Sequence, residues 1–74
     1  MKNAEMIEKI TMDVEGKFWT RQNEMVEELE SLNYEVVSLG WETLVVVDLQ
    51  DEDETEYTLH IGHANRTMWI TEVE

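Results

Sequence analysis

Hydrophobic periodicity changes once along this chain, near Asn33, from a recurrence every three or four residues to alternation every second residue. A helix buries a stripe of period 3.6 and a half-buried strand buries a face of period two. The expectation is an α+β fold: N-terminal helical segments packed on one face of a four-stranded antiparallel sheet. With 74 residues, no Gly/Ser linker and no repeat, it reads as a single small domain, helical over 1–33 and an antiparallel β meander over 34–74.

In the helical half, Asn3 is a candidate N-cap for a segment with Met6, Ile7, Ile10 and Val14 on one side and Gly16 as its stop. The rival over residues 4–15 is a strand in which Ile10, Met12 and Val14 alternate with Thr11 and Asp13. A second helix, roughly 17–32, is read from Phe18, Met25, Val26, Leu29 and Leu32, with Asn33 able to end it in a left-handed turn. Strands follow at 34–39, at 43–50 (the most β-branched, hence central), around Tyr57, Leu59 and Ile61, and at 67–73. Turns fall at Gly40, at Asp51 to Glu54 and at Gly62 to Asn65.

No cysteine is present, so neither a disulfide nor a thiolate metal site can staple the fold, and the core alone must hold it. The longest apolar run, Leu44 to Val47, is far too short for a membrane span or signal core. A soluble cytoplasmic protein is expected.

Charge narrows the function further. Eighteen acids face five bases, for a formal net charge of −13, and residues 1–21 are neutral, so all of that charge falls on residues 22–74, where Arg66 is the only base. Direct binding to nucleic acid or to an anionic membrane needs a Lys/Arg footprint that is missing here. Catalysis finds no support either: Ser31 and Ser38 lie in no nucleophile-elbow motif, and carboxylates are too abundant for any pair to stand out. His60 and His63 would point to opposite faces of a strand. From Asp51, an EF-hand loop would need Gly where Glu56 stands and Glu where Gly62 stands, leaving only diffuse divalent-ion binding. No enzyme, cofactor or metal is expected.

What remains is two acidic clusters. Glu24, Glu27, Glu28 and Glu30 lie on the second helix with no Lys four residues on, and Asp48, Asp51, Glu52, Asp53, Glu54 and Glu56 fall within nine residues without a base. Carboxylates spaced by helix turns and alternate strand positions approach the pitch of backbone phosphates and can accept bidentate arginine. In size and charge the chain resembles, as a class, the small phage-encoded inhibitors that act as DNA mimics against restriction, CRISPR or DNA-repair enzymes. The resemblance implies a non-enzymatic inhibitor or regulator whose partner is a basic nucleic-acid-binding protein or nuclease complex. Two alternatives stand beside it: an acidic interaction module or regulatory subunit with Trp41 as aromatic anchor, and a halophile-adapted domain, against which the clustering and the excess of Glu over Asp count. Edge strands 34–39 and 67–73 allow a homodimer as well as a monomer. On the mimic reading, changing Glu24, Glu27 and Glu28 to Gln weakens partner binding and leaves stability unchanged or raised.

Overall fold

The computed structural model describes residues 2–74. The order is α1 (Ala4–Val14), α2 (Gln22–Ser31), β1 (Tyr34–Leu39), β2 (Thr43–Asp48), β3 (Glu56–Ala64) and β4 (Thr67–Val73), with the strands in one antiparallel sheet in sequence order. The α+β expectation is met, and residues 4–14 are helix, not strand. Asn3 caps α1, its side chain accepting from the Met6 amide at 2.9 Å, so an otherwise unpaired donor is satisfied. The stripe of α1 buries Ile10 and Val14.

The second helix is shorter than its hydrophobic pattern. Residues 17–20 instead run beside β4, where Trp19 and Met68 exchange both backbone hydrogen bonds (2.9 and 2.7 Å). Trp19 therefore enters the core, whereas Phe18 is 65% exposed and tilts against Trp69. Helix α2 contributes Met25 and Leu29 and ends, as expected, at Asn33 with φ 70°.

Both helices cover the same face of the sheet. The core is closed by Tyr34 from β1, Leu44 and Val46 from β2, Tyr57, Leu59 and Ile61 from β3, and Met68 from β4. Alternation sends Glu35, Val45, Val47, Glu56, Thr58, His60, Trp69 and Glu72 to the other face. Trp69 lies across Gly62, the residue opposite it; a β-carbon there would come within 2.9 Å of the indole and 2.7 Å of the Thr71 methyl. Trp69 is thus half-buried on the open face and is not part of the core. The last hairpin turn is the two-residue Asn65-Arg66, both left-handed (φ 53° and 63°), so β3 runs on through Gly62. Among the described residues, no helix is long and apolar enough to cross a membrane.

Candidate partner-binding surface

Antiparallel pairing gives the sheet two unlike ends. The Gly40 and Asn65-Arg66 turns lie at one end, and the starts of β1 and β3 and the finishes of β2 and β4 at the other. Helix α2 runs between them. Its first residue, Gln22, donates to the Gly40 carbonyl (2.8 Å), while the Asn33 carbonyl beyond its last turn accepts from the Leu49 amide (3.0 Å). The negative end of the helix dipole thus points toward the end that carries the acidic turn, and no basic residue sits in the last turn to offset it.

Four of the acids expected to face a partner are occupied within the fold. Asp48 is buried: its carboxylate takes the Lys9 ammonium at 3.4 Å and the Gln50 amide at 2.9 Å. Burial of an apolar strand carried Asp48 inward, and the helix α1 lysine follows it because an isolated buried charge is too costly. Asp51 organises the turn, accepting from the Asp53 amide (3.1 Å) and the Thr55 hydroxyl (2.5 Å), and these bonds hold its pKa below the ordinary carboxylate value. Glu24 accepts from both the hydroxyl (2.8 Å) and the amide (3.1 Å) of Thr20, closing the start of α2, and its pKa is lowered by those bonds. Glu28 pairs with Lys17 (2.5 Å) and accepts from the Trp19 indole N–H (2.9 Å); Lys17 first and then the indole lower its pKa. Two of the three acids Glu24, Glu27 and Glu28 tie residues 17–20 to α2, so the expectation for replacing all three by Gln becomes a lowered melting temperature.

Glu27, Glu30, Glu52, Asp53, Glu54 and Glu56 are exposed and make no ion pair among the described residues. Glu30 in the last turn of α2 and Glu52 to Glu54 at the tip share one end of the molecule. Sequence reading missed Glu35, which belongs with them: Val47 on β2 is flanked in register by Glu35 and Glu56 on the open face. Those two acids stand two strands apart, about 10 Å. Strand alternation held the signal, but only the register shows that the two acids face the same way.

At the opposite end, Trp41 is 66% exposed and stacks on His63 with centroids 4.7 Å apart and planes 13° apart. His63 Nε2 lies 2.6 Å from the Trp41 carbonyl oxygen, which fixes the pair. These rings, with Thr20, Arg66 and Thr67, line a cavity of about 260 Å³. No family model, curated protein or solved structure matches this chain.

Proposed function

We propose that this chain is a non-enzymatic acidic inhibitor or regulator that binds a basic nucleic-acid-handling protein as a DNA mimic, in the manner of phage inhibitors of restriction or CRISPR enzymes. The observation that carries the reading is the gathering of exposed carboxylates without ion-pair partners at one end of the molecule, Glu30, Glu35, Glu52, Asp53, Glu54 and Glu56. The negative end of the α2 dipole reinforces their field there. A cationic groove built for phosphates would accept these carboxylates through charge-assisted and bidentate arginine contacts.

The test is capture from a panel of DNA- and RNA-processing enzymes, with competing DNA and with raised salt. The expected result is one enzyme released by DNA. Replacing Glu52, Asp53 and Glu54 by their amides should slow its association about tenfold or more at low salt without lowering the melting temperature, because these side chains have no structural partner. A salt-insensitive capture abolished by Trp41→Ala would favour the second reading, an interaction module anchored on the exposed Trp41–His63 stack and its cavity.

A further inference from the structure

His60 has a setting that the His-x-x-His spacing does not reveal. Its ring projects from β3 on the open face, whereas His63 is three residues on, at the far turn, stacked on Trp41. In the sheet, His60 pairs in register with Glu72, and the period of two on β4 puts Glu74 on the same face as Glu72. The three ligating atoms, one imidazole nitrogen and two carboxylate oxygens, all lie within 4.8 Å of one another. His60 Nε2 already contacts Glu74 Oε1.

We propose that His60, Glu72 and Glu74 form a binding site for a single zinc-type transition-metal ion. Around tetrahedral zinc, at Zn–N and Zn–O lengths of about 2.0–2.2 Å, ligand atoms sit roughly 3.3–3.5 Å apart. The three atoms therefore already lie within about 1.5 Å of that spacing. The backbones beneath are held: Thr58 and Glu74 exchange both hydrogen bonds (3.0 and 2.8 Å), and the Thr71 hydroxyl donates to the His60 carbonyl (3.3 Å). The neighbouring cation does not compete, because the Lys2 ammonium donates to the main-chain carbonyl of Glu74 (3.0 Å) and leaves the side chain to the site. Thr43, opposite His60 on β2, adds no charge.

One imidazole with two carboxylates suits a borderline ion such as zinc more than the hard cations that all-oxygen clusters attract. The partial exposure of His60 and Glu74 leaves a path for entry and for water in the remaining coordination position. The acidic tip, Glu52 to Glu54, offers only oxygens and lacks this selectivity.

Zinc ion titrated calorimetrically into the full chain, in a large excess of Mg²⁺, should bind one to one. It should shift the ring resonances of His60 and leave those of His63 in place. Affinity should fall roughly 100-fold or more in His60→Ala and at least tenfold in Glu72→Gln, and should be unchanged in His63→Ala. Absence of saturable one-to-one binding would overturn the site, as would wild-type affinity in a folded His60→Ala protein. If that variant does not fold, the His60 resonances of the wild type decide: no shift with zinc overturns the site.

Discussion

Tyr34 shows how one side chain joins helix to sheet. It is 1% exposed, its hydroxyl donates to Asp13 Oδ2 at 2.6 Å, and the Lys9 ammonium, 3.3 Å away, also reaches Asp48. Burial first, then the Asp13 hydrogen bond and the Asp13 and Asp48 charges, push the phenol well above its ordinary value of 10.0. Folding therefore favours the neutral phenol. The native chain keeps a proton that the unfolded chain releases above about pH 10, so this contribution is complete below pH 10 and is lost as the pH rises beyond it. Urea unfolding across pH 8–11 should show stability falling steeply at the alkaline end. In Tyr34→Phe the fall should be shallower, with a residual slope from Tyr57, also raised by burial. The same variant should lose about 1–2 kcal/mol at pH 8 through the missing hydrogen bond. A wild-type alkaline slope no steeper than that of the variant would contradict this assignment. Only the Lys9–Asp13 spacing of four on α1 is legible in the sequence; Tyr34 and Asp48 are far from that pair in the chain, and Asp48 reads there as one more member of an acidic run.

At the scale of elements, periodicity located both helices and all four strands but misplaced three edges, one of them the end of β2, which stops at Asp48 and not at residue 50 because Leu49 and Gln50 enter the turn. The stripe from Phe18 to Leu32 is helical in spacing, yet the hydrogen bonds of Trp19 to Met68 pull residues 17–20 onto the sheet edge. Such long-range pairing leaves no local periodic mark. The β3–β4 turn was likewise placed too early, because its left-handed pair is Asn65-Arg66, where a glycine would signal the turn. A left-handed arginine costs about 1 kcal/mol relative to glycine. Arg66→Gly should therefore raise stability by about 0.5–1 kcal/mol, measurable as a higher urea midpoint. A fall would mean that the side chain makes a stabilising contact in the cavity beside Trp41.

The whole molecule, 37 Å long, gathers Glu30, Glu35, Glu52, Asp53, Glu54 and Glu56 at one end, all exposed. Self-repulsion of that charge opposes compaction and is screened over about 8–10 Å at physiological salt. Its melting temperature should rise by a few degrees as salt is raised from low values toward about 0.5 M, with the protein already folded at low salt. A chain unfolded at low salt and folded only near molar salt would instead mark halophilic adaptation. Raised salt should therefore strengthen the fold while weakening an electrostatic complex, so the two effects can be separated in one titration.

By itself the sequence determined the fold class, the order of elements, the cap at Asn3, the left-handed stop at Asn33 and the excess of charge beyond residue 21. These follow from local spacing and composition, which each segment carries alone. Tertiary structure decided which acids are free. It buried Asp48 on Lys9, spent Glu24, Glu28 and Asp51 on caps, pairs and turns, set Glu35 and Glu56 on either side of Val47 on the open face, and brought His60 to Glu72 and Glu74. The reason is physical: whether a carboxylate is solvated, paired or poised depends on strand register and on what packs above it, and both are properties of residues distant in the chain.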